Sequence, residues 1–142
     1  SMPGLMLPTE IDGELYVDGA IGPSGGIPLD AAMADGYENF VVIMTRPRSY
    51  RKGPPSRPQF YQRYFHDYPT VAEALTKRWI HYSRTRDQLF ELERQGRAWL
   101  YFPEKMLVSN HEKNVAKLQA NYNAGERQIT RIWPNLARFL EL

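Results

Sequence analysis

Cysteine is absent from this sequence, which excludes disulfides, thiolate nucleophiles and cysteine-ligated metal. Histidine is scarce, and His66, His81 and His111 follow no metal-site spacing, so neither a metal nor another cofactor is expected. No stretch approaches the roughly 20 apolar residues of a membrane-spanning helix, and no signal-peptide pattern is present. Net charge is only +2 at pH 7. That balance gives no global electrostatic basis for binding nucleic acid, and at most a peripheral contact with a membrane is expected. Repeats and low-complexity segments are missing as well. What is there has the make-up of an ordinary globular protein, 42% hydrophobic and 24% charged, with a length suited to one domain. Together these features lean to the cytoplasm. Ser1-Met2 reads as a tag remnant, so the chain is expected to start inside a longer gene product.

The pattern along the chain is that of an α/β protein. Glu14-Leu15-Tyr16-Val17 reads as a short strand running into Asp18-Gly19-Ala20. The glycine-rich stretch from Ile21 to Gly26 reads as a loop. Pro28 suits the first turn of a short helix over Leu29–Asp35, and Gly36 is its stop. Phe40 to Met44 is apolar without alternation, the mark of a strand covered on both faces. Strand, helix and strand would form a right-handed βαβ unit. Thr45 to His66 carries four prolines, six Lys/Arg residues and no Asp or Glu, and reads as an exposed connection with at most a short helix near Phe60–Tyr64. Thr70 to Glu73 has the form of a capping box, opening a long amphipathic helix through Val71, Leu75, Trp79, Tyr82 and Leu89 to Gly96. Ala98 to Phe102 is a third strand. A second capping box, Ser109 to Glu112, predicts a helix with Val115, Leu118, Tyr122, Ile129 and Ile132 on one stripe. Pro134 should kink or split that helix. Trp79, Trp99 and Trp133 are assigned to the core, and Glu91, Glu93 and Arg94 to a solvated face.

Chemistry concentrates at Asp18. An aspartate just past the carboxyl end of a strand sits where ligands gather in open α/β sheets, and Gly19 would allow a sharp turn. On spacing alone, Asp18 reads as a turn-former rather than a catalyst. Its surroundings are more specific. Asp18-Gly19-Ala20, then Gly26-Ile27-Pro28-Leu29, Ala31-Ala32 and Gly36, resembles the aspartate block of patatin-like phospholipases. Thr45-Arg46-Pro47 with Tyr50-Arg51-Lys52 is similar to the bacterial branch of that family, whose catalytic domain is followed by a helical extension. Glu93 to Arg97, Phe102-Pro103-Glu104 and Glu112-Lys113 look like that extension.

The resemblance implies a partial three-layer patatin-like sheet, few-stranded and mostly parallel, in residues 1–66, and a C-terminal helical extension with one strand in residues 67–142. It also implies a lipid acyl hydrolase with a Ser–Asp dyad, in which Asp18 is the base and Gly19 and Ala20 complete its motif. A carboxylate serves as such a base when a partly desolvated site raises its pKa toward working pH. The family's serine stands upstream in a Gly-x-Ser-x-Gly elbow, and the stretch ahead of Asp18 holds no such pattern. This chain is therefore expected to supply the aspartate and to be inactive alone.

Gly22-Pro23-Ser24-Gly25-Gly26 fits Gly-x-Ser-x-Gly literally, yet no strand feeds Ser24 and no helix follows it directly, as an elbow requires. Ser24 is read as part of a loop at the mouth of the site. The basic, aromatic run containing Arg46, Tyr50, Arg51 and Lys52 could meet phospholipid headgroups, or pack as a solvated loop. An unfinished sheet edge would favour a homodimer. The competing class is a non-catalytic interaction or dimerisation module, in which the aspartate block is vestigial.

Overall fold

A computed structural model describes residues 8–109 and 111–141, so the Gly/Pro-punctuated opening and Ser1-Met2 lie outside the described residues. The fold is mixed α/β. In chain order the elements are β1 (Thr9–Ile11), β2 (Glu14–Tyr16), a 3-10 turn (Gly19–Ile21), α1 (Leu29–Ala34), β3 (Phe40–Ile43), α2 (Pro58–Tyr64), α3 (Pro69–Arg94), β4 (Ala98–Tyr101) and α4 (Val115–Phe139). They fall into two compact units. One comprises Ser1–Tyr37 with Arg51–Leu89, the other Glu38–Tyr50 with Phe90–Leu142.

In the first unit, β1 and β2 form an antiparallel hairpin, with Thr9 opposite Tyr16 and Ile11 opposite Glu14. Asp12 and Gly13 both have positive φ, 52° and 83°, the turn whose twist matches the flanking strands. Helix α1 ends as expected at Gly36, φ 90°. Gly36 N–H donates to Met33 O and Tyr37 N–H to Ala32 O, the paired closure that only a left-handed residue permits. Leu29, Phe65, Ala72 and Leu89 supply the buried apolar side chains of this unit.

In the second unit, β3 and β4 pair in parallel, Phe40 with Ala98 through Ile43 with Tyr101. Gly96, φ 72°, closes α3 in the same manner, with Arg97 N–H donating to Leu92 O. Phe40, Met44, Leu92, Ala98 and Leu136 are buried here. Arg48 makes an ion pair with both carboxylate oxygens of Glu93, and this bond holds its guanidinium pKa above the ordinary value. The same guanidinium lies 4.9 Å from the Phe90 ring centroid and 5.2 Å from that of Phe102.

Several expectations are corrected. No βαβ unit joins β2 to β3, because β2 pairs with β1 and β3 pairs with β4. No three-layer sheet is present among the described residues; there are two two-stranded sheets. Strand β3 is covered on one face only: Phe40 and Met44 are buried, whereas Val41 is 42% and Ile43 72% exposed. Thr70 does not cap α3, which opens one residue earlier at Pro69, a residue whose fixed φ and missing N–H suit a first helical position. Helix α4 starts at Val115, not after Ser109. Asn114 Oδ1 accepts from Lys117 N–H, while Glu112 Oε1 accepts from the Lys113 and Asn114 N–H groups. Pro134 does not split α4, which runs on to Phe139; its missing donor removes one bond from an otherwise intact ladder. The leading half of the α4 stripe is exposed, Val115 at 76% and Tyr122 at 67%, and Trp133 is half-exposed. Among the described residues no helix is long and apolar enough to cross a membrane.

Threonines on the long helices behave in two ways. Thr76 and Thr130 donate back to the carbonyls of Ala72 and Glu126. Thr85 is fully buried, and its Oγ1 has no hydrogen-bond partner among the described residues. A buried hydroxyl without a partner costs about 1–3 kcal/mol of desolvation. Thr85→Val, which replaces that hydroxyl by a methyl group, should raise stability by about 1 kcal/mol and shift thermal unfolding upward. A lower midpoint in a calorimetric melt would show that the hydroxyl does make a bond.

Candidate functional site

The site is built on the loop that leaves β2. After Tyr16 and Val17 the chain turns at Asp18, whose φ of −58° and ψ of 128° place it as the cap of the 3-10 turn. Asp18 Oδ1 accepts the Ala20 N–H at 2.7 Å. Its backbone carbonyl accepts the Ile21 N–H. The side chain is half-buried, and no described residue bonds Oδ2. One carboxylate oxygen is thus fixed and the other is left for a visiting donor.

Gly19 does not play the part expected of it. Its φ is not positive, and a Cβ there would meet nothing within 4 Å. Two later glycines carry the constraint instead. Gly26, φ 98°, has Ala20 packed against it, so that a Cβ would lie 3.1 Å from the Ala20 Cα and Cβ. Gly25, φ 67°, lies on the backbone of α3; a Cβ would fall 2.5 Å from Tyr82 Cα and 2.9 Å from the His81 carbonyl carbon. Both the positive φ and the close approach demand glycine.

Side chains of α3 fasten the same loop. His81 Nδ1 lies 3.2 Å from Gly22 O, and because a carbonyl only accepts, this bond puts a proton on Nδ1. Arg84 donates to Pro23 O at 2.9 Å and lies 3.7 Å from Asp30 of α1. Sequence patterning assigns His81 to surface or packing and does not single out Arg84. Their signal is the polar run from His81 to Arg86, which crosses the stripe of a long helix where apolar residues are the norm.

Ser24 lies in a turn, with no strand before it, and its carbonyl accepts the Ile27 N–H at 3.4 Å. The four basic and aromatic candidates divide between the units. Arg46 lies over Tyr50, 5.4 Å from its ring centroid, in the second unit. Arg51 and Lys52 belong to the first, where they line a small cavity of about 80 Å³ with Tyr82, Ser83, Arg86 and Asp87. Among the described residues no group of three His, Asp or Glu side chains gathers as a metal set.

The second unit has a larger cleft, about 610 Å³, at the carboxyl ends of β3 and β4. Gln128 fixes its wall: Oε1 accepts from Tyr101 Oη and Glu104 N–H, and Nε2 donates to Phe102 O. Burial, and then the charge of Glu104, push the Tyr101 pKa above the usual phenol value.

The contact at position 25 gives a direct test. Gly25→Ala should drive the loop off α3 and lower stability by about 2 kcal/mol or more, whereas Gly19→Ala should leave stability within about 0.5 kcal/mol of the unchanged chain. Equal effects in chemical denaturation would refute the assignment.

No curated protein and no solved structure matches this chain. Residues 68–141, which include α3, β4 and α4, match one family profile, described as a domain of unknown function (DUF6363). That match covers more than half of the sequence, and the chain therefore belongs to the DUF6363 family.

Proposed function

We propose that this chain is the aspartate-bearing part of a patatin-like lipid acyl hydrolase, with Asp18 as the base of a Ser–Asp dyad. The observation that carries the reading is the state of the Asp18 carboxylate: Oδ1 is anchored by Ala20 N–H, while Oδ2 has no described partner. A general base needs this combination of fixed orientation and one available oxygen. The serine belongs to an elbow upstream of the aspartate block. It attacks the ester carbonyl as Asp18 removes its proton, and Asp18 then returns that proton to the leaving alcohol. Water later attacks the acyl-enzyme with Asp18 again as base. The substrate is a lipid or small acyl ester, no cofactor takes part, and the protein works in the cytoplasm with at most peripheral membrane contact.

Helix α3 supports the same reading. It fastens the loop after Asp18 through His81, Arg84 and the backbone at Tyr82, so the helical extension belongs to the support of the aspartate. The uncovered face of β3 suits a strand pair that belongs to a larger sheet.

A specific observation favours the second reading, a non-catalytic dimerisation module. Val115, Leu118 and Tyr122 of α4 are exposed, an apolar row with nothing described upon it.

Hydrolysis of p-nitrophenyl butyrate separates the two. A longer protein in which a serine elbow precedes Asp18 should be active, and Asp18→Asn in it should lower kcat at least about 10²-fold. This chain alone should be inactive, and Ser24→Ala should change nothing. Full activity in the Asp18→Asn protein would remove Asp18 from the mechanism. Under the module reading, this chain should instead sediment as a dimer that Leu118→Glu converts to monomer.

A further inference from the structure

The cleft of the second unit lies where the chain leaves two parallel strands. Thr45 follows β3, Tyr101 ends β4, and Ala124, Gly125 and Gln128 of α4 complete the lining beside them. The crevice outside the carboxyl ends of parallel strands is where such sheets take up ligands. Its volume of about 610 Å³ is that of a small-molecule site, which runs from roughly 300 to 1,000 Å³. Of its apolar residues, Met44 is buried but Leu107 is 43% exposed. Gly125 stands in the interior of a long helix, where glycine is costly. A Cβ there would lie 3.8 Å from Tyr101 Oη, an ordinary contact, so close packing does not require the glycine. Its missing side chain leaves the cleft open.

The polar groups of this lining are unevenly engaged. Its main side-chain acceptors are taken: Gln128 Oε1 accepts from Tyr101 Oη and Glu104 N–H, Asn121 Oδ1 accepts the Leu107 N–H at 3.4 Å, and Glu104 is ion-paired with Arg131. Its cations are not. Lys105 and Arg127 line the cleft, are exposed, and make no hydrogen bond or ion pair with a described residue. A ligand matched to this lining therefore accepts hydrogen bonds and carries negative charge at one end. Met44, Met106, Leu107 and Val108 offer apolar contact to the rest of it, and methionine adapts well to a flexible chain. We propose that the cleft binds an unbranched aliphatic carboxylate, a fatty-acid-type anion, with its carboxylate on Lys105 and Arg127 and its chain against these four apolar residues. The inference goes beyond the acyl-hydrolase reading. It uses no residue of the Asp18 loop, so carboxylate binding and the Asp18→Asn assay can each fail alone.

The test is a titration of the 142-residue chain with decanoate below its micelle concentration, following the backbone amides of Met106 to Val108 and Ala124 to Gln128 by NMR. Saturable shifts are expected. Decanol, which lacks the charge, and acetate, which lacks the chain, should each bind at least about tenfold more weakly. Lys105→Gln and Arg127→Gln, both at exposed positions, should each weaken decanoate binding roughly tenfold. Gly125→Leu adds a side chain to the cleft and raises helix propensity, so it should weaken binding by at least about tenfold while the melting midpoint holds or rises. Lys117→Gln, on the same helix but outside the cleft, should change nothing. Absence of saturable shifts with decanoate, or decanol or acetate binding as tightly as decanoate, overturns the proposal. So does decanoate binding that is unaltered in both glutamine variants, or unaltered in Gly125→Leu.

Discussion

The close approach of Gly25 to the backbone of α3 is the contact on which the candidate site depends. Any residue other than glycine would place a Cβ inside the van der Waals envelope of Tyr82 and His81. The loop between the 3-10 turn and α1 therefore has one seat on the helix, and His81 and Arg84 hold its carbonyls there. Gly26 then brings Ala20 into contact, and Ala20 N–H fixes the Asp18 carboxylate. The orientation of one carboxylate thus follows from a chain of short contacts that begins on a helix more than fifty residues away in sequence. None of these links is hydrophobic burial; each is a backbone or charge-assisted contact, which is why single glycines matter more here than core volume.

Local signals were legible in the sequence, and pairings were not. The glycine stops at Gly36 and Gly96, the proline-led start of α1, and the presence of α3 and β4 all follow from rules that act within a few residues. Strand pairing is a long-range choice, and the reading that β2 and β3 share one sheet fails because β2 has a nearer partner. Asp12-Gly13 signals that hairpin, but Thr9-Glu10-Ile11 is too polar to read as a strand beside it. Helix α4 shows a different limit. Two N-terminal signals compete, and Asn114 caps the helix because its side chain reaches Lys117 N–H, whereas Ser109 leads into an irregular stretch.

The site itself was legible only at its aspartate. Asp18 is marked by its place after a strand and by the block around it. The residues that position it, His81, Arg84 and Gly25, are spread over two elements, and no spacing rule links them. Arg86 and Thr85 are the clearest departures from helix patterning: a cation and a hydroxyl stand buried where an amphipathic stripe calls for apolar side chains. Burial of such groups is a cost to folding.

Helix α3 holds the loop after Asp18 in one conformation. Amide hydrogen exchange of the unmodified chain tests it most directly. Ala20 N–H, bonded to Asp18, and Gly25 N–H, bonded to Gly22 O, should exchange with protection comparable to the middle of α3. Exchange of both amides at the rate of an unfolded peptide, while α3 stays protected, would contradict it.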